Sequence, residues 1–206
     1  KITRGKNVIT SSCDGKIIEF GKIKNNTLLQ IKGKEISISE LMGSNTNIQT
    51  NYSNGSFITI YLSPKDYHRV HIPFDGKLDK TIHIPGRLYS VATHAVRQIN
   101  NLYCKNERLV CNFKNKDLCF SVIFVAAINV SSIETTWRGE ISPPYPKKTI
   151  TTDYSKKKID IIKGDELGMF KSGSTVVLLF DKKCELSPLL KKNKIIRVGE
   201  KVGSYK

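Results

Sequence analysis

The chain has 206 residues, 39% of them hydrophobic, and a formal net charge of +16 at pH 7. Its length and composition are typical of a soluble globular protein with a buried core, and its longest apolar run, residues 120–130, is too short to span a bilayer. The basic excess predicts an anionic partner. Because most of this excess is Lys spread along the chain, an acidic membrane is favoured over nucleic acid.

The cysteines are five in number and include no Cys-x-x-Cys pair. This pattern argues against a disulfide framework and against a zinc site. We therefore predict buried free thiols in a reducing compartment, because an unpaired cysteine packs as a small hydrophobic residue. The positions are Cys13, Cys104, Cys111, Cys119 and Cys184.

In chain order, most of the predicted elements are short strands rich in Ile, Val and Phe. The dipeptides Asp14-Gly15, Asn54-Gly55, Asp75-Gly76 and Gly164-Asp165 flank such runs and predict turns. The predicted strands are KIIEFGKI (16–23), TLLQIKG (27–33), SFITIYLS (56–63), KTIHIPG (80–86), RLVCNF (108–113), CFSVIFVAAINV (119–130), KIDIIKG (158–164) and STVVLLF (174–180).

Helical periodicity is clear only at residues 88–102, with a weaker pattern at 37–43. Strands and helices do not alternate, so a doubly wound parallel sheet is not predicted. We expect a mainly β (β-rich α+β) fold: a single domain of short antiparallel strands, sandwich- or barrel-like, with one or two short helices. The Pro- and Lys-rich segment 142–158 is predicted to be an exposed loop.

The densest polar cluster is YLSPKDYHRVHIP at residues 61–73. It holds His68 and His71 between Pro64 and Pro73, and the prolines argue against a continuous helix. Two imidazoles within four residues are typical of a site for general acid and base catalysis. The plainer interpretation is a histidine pair that bonds to backbone carbonyls in an irregular loop, and a metal pair lacks a third ligand cluster.

The stretch FKSGSTVVLLF at residues 170–180 places a small, flexible tetrapeptide before an apolar run. Taken alone, Gly173 and Ser174 predict a turn that begins a buried strand. Asp14, taken alone, predicts an Asp-Gly turn. With His71 they complete an Asp, His and Ser set, but such sets are recognised by geometry rather than by chain order.

Several segments resemble the phosphatidylserine decarboxylase family. TIYLSPKDYHRVHIP looks like its hallmark segment, and KGDELGMFKSGSTVVLLF is similar to its self-processing site, which is built around a Leu-Gly-Ser-Thr tetrapeptide. CDGKI, PGRLYSV, CKNERLVC and SIETTWRGEISPP follow the family's order and approximate spacing, so the resemblance covers residues 11–180. Ser172 stands where the family has Leu. It takes no covalent part, so we expect processing to survive, at a lower rate if that Leu buttresses the glycine.

The resemblance implies a self-cleaving enzyme. Ser174 would attack the carbonyl of Gly173, with His71 as the base and Asp14 as the group that orients it. Elimination and hydrolysis would leave a pyruvoyl group derived from Ser174 and release ammonia. That group would form a Schiff base with phosphatidylserine and decarboxylate it to phosphatidylethanolamine, and His68 would handle the substrate carboxylate and return a proton.

The resemblance also implies partners and a location. The fragments 1–173 and 174–206 would stay packed together after cleavage. The substrate would be phosphatidylserine in an anionic membrane, with the enzyme peripheral at the cytoplasmic face of the cell membrane and with no nucleic-acid partner. Bacterial members carry an N-terminal membrane-associating segment, which we expect to be absent because the chain starts just before CDGKI. The oligomeric state is open, with a homodimer among the options.

Three other interpretations remain at this point. A non-catalytic β-rich module could bind an anionic membrane or nucleic acid through its Lys residues, but it leaves Asp14, His68, His71 and Ser174 unexplained. A lipid hydrolase could use Ser174 as an ordinary nucleophile in an uncleaved chain. A decarboxylase homologue could act on another acid that carries an amine.

Overall fold

The structure is a computed structural model that describes residues 1–31, 33–43, 51–116, 118–128, 132–171 and 173–206. Within these ranges the chain forms mostly short strands. The strands are β1 Val8–Thr10, β2 Gly15–Lys22, β3 Thr27–Ile31, β4 Lys34–Ser37, β5 Ser56–Leu62, β6 Arg69–His71, β7 Gly76–Ile84, β8 Arg108–Asn115, β9 Leu118–Val125, β10 Ile133–Thr135, β11 Gly139–Ser142, β12 Ile150–Asp153, β13 Asp160–Ile161, β14 Glu166–Phe170, β15 Ser174–Phe180, β16 Cys184–Leu186, β17 Ile195–Ile196 and β18 Lys201–Tyr205. The helices are α1 Ile38–Leu41, α2 Thr93–Gln98 and α3 Leu102–Lys105.

The largest sheet places β15 near its middle. Its strand order is β12-β7-β8-β9-β15-β5-β2-β17, with β13 also paired to β7, and each of these pairings is antiparallel. Every residue of β15 is buried. An uninterrupted run such as TVVLLF suits this position, because a strand covered on both faces has no solvent side for polar residues.

Smaller sheets surround this one. The order β11-β10-β14-β6 carries His71 at the end of β6, opposite Glu166 of β14. The chain ends meet in the order β1-β18-β16, and β3 pairs with β4. His71 therefore lies on a short edge strand and His68 just before it, and neither is on a helix, as Pro64 and Pro73 predict.

The mainly β prediction is confirmed, with three differences of detail. The pattern at 88–102 is helical only over α2 and at Leu102, where α3 begins, because Ile99 is extended and Asn101 has a φ of 54°. The described residues thus contain three short helices. The large sheet is open, with β12 and β17 at its described edges, so the barrel-like option is not observed.

The segment 142–158 was expected to be a loop, and this is wrong for five of its residues, the first of which, Ser142, ends β11. Ile150–Asp153 forms β12, which pairs with β7 from His83 to Lys80. The run Ile-Thr-Thr is β-branched, and β7 offers it a row of backbone groups that would otherwise be unpaired. The strand predicted at 119–130 ends at Val125, and its last two residues lie outside the described ranges.

All five cysteines are free, as predicted, and Cys13, Cys111 and Cys184 are buried. Cys104 and Cys119 are only partly buried, so the prediction of burial is wrong for these two. Burial raises the pKa of the Cys104 and Cys184 thiols to about 12. None of the helices in the described part of the chain is long and apolar enough to cross a bilayer.

Candidate active site

Ser174 begins β15 and is 0% exposed. Its backbone is fixed by antiparallel pairing, with Leu62 of β5 as its partner. Its Oγ is buried and forms no hydrogen bond with any described residue. A buried hydroxyl left without a partner costs about 1–3 kcal/mol, so such a group calls for an explanation beyond packing.

Gly173 lies directly against Pro64. A Cβ added at Gly173 would sit 3.1 Å from Pro64 Cδ and 3.3 Å from the carbonyl oxygen of Leu62. These distances are shorter than most real Cβ contacts, and neither a proline ring nor a strand backbone yields easily. Glycine is therefore the residue that allows the chain to enter β15 at this point.

A small pocket of about 90 Å³ opens beside Gly173. It is mostly apolar, and its rim includes Ile128, which is 56% exposed. Its lining residues are Tyr61, Pro64, Ser90, Val91, Ala92, Ala127, Ile128 and Gly173. The bond between Gly173 and Ser174 therefore borders a recess that can admit a small group from solvent.

His68 binds Pro64, the same residue that packs against Gly173, so these three residues form one corner of the site. The carbonyl of His68 accepts a hydrogen bond from the Phe170 amide at 3.1 Å, and its Nε2 donates to the Pro64 carbonyl at 3.1 Å. Since a carbonyl can only accept, the proton is on Nε2 and the lone pair is on Nδ1. That Nδ1 is buried and has no partner in the described structure. The corner thus holds a second unpartnered polar atom, and this one is basic.

His71 is held from three sides. Its amide donates to the carbonyl of Ser12 at 2.7 Å, and its Nδ1 donates to the carbonyl of Gly164 at 2.8 Å. The basic nitrogen is therefore Nε2, which accepts from the Tyr67 hydroxyl at 3.1 Å. The two rings stack with centroids 5.8 Å apart.

Asp14 is bound by the C-terminal segment. Its Oδ2 accepts from Arg197 Nη1 at 2.7 Å, and its Oδ1 accepts from the Val198 amide at 2.8 Å. The hydrogen bond and charge of Asp14 raise the pKa of Arg197. The carboxylate side chain is 15% exposed and the guanidinium side chain 62% exposed, so the pair lies at the edge of the protein surface.

Asp66 links this pair to the corner at Gly173. Its Oδ2 accepts from the Ser63 amide at 2.7 Å and from the Ser63 hydroxyl at 2.8 Å, which fixes the turn that carries Pro64. Burial, then Asp14, then Asp66 raise the pKa of Cys13. The two carboxylates therefore lie near the same buried thiol.

The predicted residues form two neighbouring groups. Gly173, Ser174 and His68 meet around Pro64, and His71 joins the Asp14 segment through the carbonyl of Ser12. No hydrogen bond among the described residues joins Asp14 to His71 or His71 to Ser174. Ser172 lies outside the described ranges.

Sequence reasoning did not identify four groups that hold these side chains. They are Tyr67, Asp66, Arg197 and the carbonyl of Gly164. Tyr67 and Asp66 lie within the polar cluster at residues 61–73, so their closeness to the two histidines in the sequence could have identified them. Arg197 lies in a Lys-rich stretch without a motif, and a backbone carbonyl leaves no trace in the sequence.

Comparison with known proteins identifies a family. The family model described as phosphatidylserine decarboxylase matches residues 1–204. The phosphatidylserine decarboxylase proenzyme of Alcanivorax borkumensis is 43% identical over 201 residues, which cover 97% of this chain and 69% of that protein. The proenzyme of the same name from Francisella tularensis subsp. novicida is 49% identical over 180 residues, covering 86% of this chain and 62% of that protein. The chain thus spans about two thirds of the length of these relatives.

Proposed function

The chain belongs to the phosphatidylserine decarboxylase family, and from that premise we propose that it cleaves itself between Gly173 and Ser174 and then converts phosphatidylserine to phosphatidylethanolamine. Relatives named as proenzymes support a precursor that must be processed. The observation that carries the proposal is the buried, unpartnered Ser174 Oγ next to Gly173. Other buried hydroxyls, such as that of Thr175, also lack a partner among the described residues, but Ser174 is the one that directly follows Gly173.

Self-cleavage needs one nucleophile, one base and one water. Ser174 Oγ attacks the Gly173 carbonyl carbon and loses its proton, and the peptide bond becomes an ester. Loss of the Ser174 α-proton then expels the Gly173 carboxylate, and water hydrolyses the resulting enamine to a pyruvoyl group and ammonia. Pairing of Ser174 with Leu62 of β5, and of β15 with β9 from Thr175 onward, holds residue 174 in place through these steps.

We assign the base to His71 and its orientation to Asp14. The Nε2 lone pair of His71 is the one able to accept the Ser174 proton, because Nδ1 carries the proton that it donates to Gly164. Tyr67 occupies that lone pair in this structure, so its hydroxyl has to move before transfer. Asp14 keeps acceptor capacity on both oxygens after its bonds to Arg197 and Val198, since a carboxylate accepts about four hydrogen bonds.

The proposed product of self-cleavage at position 174 is a pyruvoyl group. It would supply a carbonyl that reacts with the substrate amine and accepts the electron pair left on carbon when CO₂ departs. The residues fit such a group at position 174, because Ser174 is buried and the preceding residue, Gly173, lines the pocket. Burial of Ser174 also strengthens electrostatic stabilisation of charge that develops there.

His68 is proposed to return a proton to the substrate after CO₂ leaves. Its Nδ1 is buried without a partner, and its Nε2 bond to Pro64 fixes the ring beside Gly173. A basic nitrogen that is both fixed and unoccupied can carry a proton in either direction. This arrangement separates the two histidines: His71 serves cleavage, and His68 serves turnover.

We further propose that the protein works peripherally at the cytoplasmic face of an anionic membrane. The net charge of +16 favours attraction to such a surface. The exposed side chains of Ile128 and Tyr89 lie at and next to the pocket at Gly173, where they can contact lipid. Substrate would then enter the pocket from the bilayer with its head group first.

The test uses vesicles that contain phosphatidylserine. The parent protein is expected to produce phosphatidylethanolamine and CO₂, and Ser174→Ala is expected to remain one folded, inactive chain. Ser172→Ala is the matched control, because it removes the neighbouring hydroxyl and should retain activity. Two fragments from Ser174→Ala, or turnover by that variant, would refute the assigned nucleophile.

A further inference from the structure

We propose that Arg197 is a positioning residue for self-cleavage, acting through Asp14. The inference rests on the proposed function, since it assigns a role in the same processing step. Arg197 lies 23 residues after Ser174 in the numbering, on the far side of the bond to be cut. The segment that follows the cleavage site would thus complete the apparatus that cuts it.

The first support is geometric. Arg197 Nη1 donates to Asp14 Oδ2 at 2.7 Å, while the next amide, of Val198, donates to Oδ1 at 2.8 Å. These two donors, from adjacent residues, each bind a different oxygen of Asp14. Together they fix the position and the rotation of its carboxylate. β17, just before Arg197, pairs with β2, just after Asp14, so the backbone on each side is also anchored.

The second support is the charge around the pair. Asp14 contributes most to the raised pKa of Arg197, and Asp66 and Glu200 add to it. Arg197 is thus a cation with three carboxylates in its neighbourhood. Its charge offsets the repulsion between Asp14 and Asp66, both of which also act on the buried Cys13 thiol.

The third support is the hydrogen-bonding capacity that Asp14 retains after these two contacts. Each oxygen of Asp14 uses one acceptor position for the C-terminal segment and retains another. A carboxylate held in this way can accept the Nδ1 hydrogen bond of His71 without giving up its anchor, once that N–H leaves the carbonyl of Gly164. The His71 amide is bonded to Ser12, two residues before Asp14, so the two side chains start from adjoining backbone.

The experiment compares self-cleavage of the full chain with that of Arg197→Gln, Arg197→Lys and Arg197→Gly. Each is purified under denaturing conditions and refolded, and intact chain is followed over time on denaturing gels, with and without added guanidinium. Circular dichroism reports whether each variant folds. Arg97→Gln is the matched control, since it removes the charge of an arginine that is exposed on α2.

We expect Arg197→Gln to cleave about tenfold to a hundredfold more slowly, as a misplaced catalytic group does. Arg197→Lys should be intermediate. Millimolar guanidinium, but not urea, should speed cleavage of Arg197→Gly, which a merely structural role would not allow.

The outcomes separate the two claims. A parent chain that never cleaves overturns the proposed function, and this inference with it. A parent that cleaves, with Arg197→Gln matching its rate, overturns only the role of Arg197. If Arg197→Gln does not fold, the other variants decide: a parental rate for folded Arg197→Lys, or no response of Arg197→Gly to guanidinium, would count against the proposal.

Discussion

Gly173 shows at the scale of one residue how packing controls the proposed reaction. A Cβ on this residue would crowd Pro64 and the Leu62 carbonyl, which would have to move by a few tenths of an ångström. In the proposed reaction the attacking hydroxyl and the carbonyl it attacks belong to consecutive residues, so small shifts of this backbone change their approach. We therefore expect the rate of self-cleavage to be sensitive to a Cβ at this position.

We predict that Gly173→Ala slows self-cleavage by about tenfold, the effect of about 1.4 kcal/mol on the barrier. The added Cβ would lie 3.1 Å from Pro64 Cδ and push the two segments apart by a few tenths of an ångström. The rate of loss of full-length chain measures the effect, with Gly173→Val expected to be slower still. Cleavage of Gly173→Ala at the parental rate would show that this contact is irrelevant to the reaction.

The site residues that the sequence predicts stand in motifs, whereas the residues that hold them in place do not. Ser174, His68 and His71 stand in recognisable motifs, and the structure places Ser174 and His68 at one corner. Their partners were not predictable, because a pairing such as Asp14 with Arg197 joins residues 183 positions apart. Only a folded chain shows that kind of contact.

At the scale of elements, β15 determines whether the two proposed fragments stay together. Its seven residues are buried, and it pairs along its length with β5 on one side and β9 on the other. Cleavage before Ser174 breaks one covalent bond and none of these ladders. Separation of the fragments would expose the strand's apolar side chains to water.

We predict that Leu178→Ala lowers the free energy of unfolding by about 2–5 kcal/mol, the usual cost of truncating a fully buried leucine. Urea unfolding in the Ser174→Ala background, where a single chain is expected, measures it. Leu189→Ala is the matched control, since Leu189 is 73% exposed and its loss should change stability by less than about 0.5 kcal/mol. Equal effects of the two substitutions would mean that β15 is not the buried strand described.

The elements themselves were largely predictable, because short apolar runs bounded by turn residues have few alternatives. STVVLLF at 174–180 coincides with β15, and RLVCNF lies within β8. The helix at 88–102 was predicted too long, since periodicity does not reveal that Asn101 adopts a positive φ. β12 was not predicted, because its polar residues are typical of a loop. They form a strand because they pair with the neighbouring β7.

At the scale of the whole molecule, the segment that begins at Ser174 contributes strands to two sheets. β15 and β17 belong to the large sheet, while β16 and β18 pair with each other and with β1. Arg197 and Val198 add contacts to Asp14 from the same segment. The proposed smaller fragment therefore contributes both to the core and to the site, and the cleaved protein should remain one folded unit.

The most direct test of self-cleavage is a denaturing intact-mass spectrum of the freshly purified parent protein. We expect two species, which result from cleavage between Gly173 and Ser174. The mass of the smaller species should be lower, by one ammonia, than that of a fragment that begins with serine. A single full-length mass that persists over days would contradict it. Two fragments with an unmodified serine would show hydrolysis at this bond without formation of the pyruvoyl group.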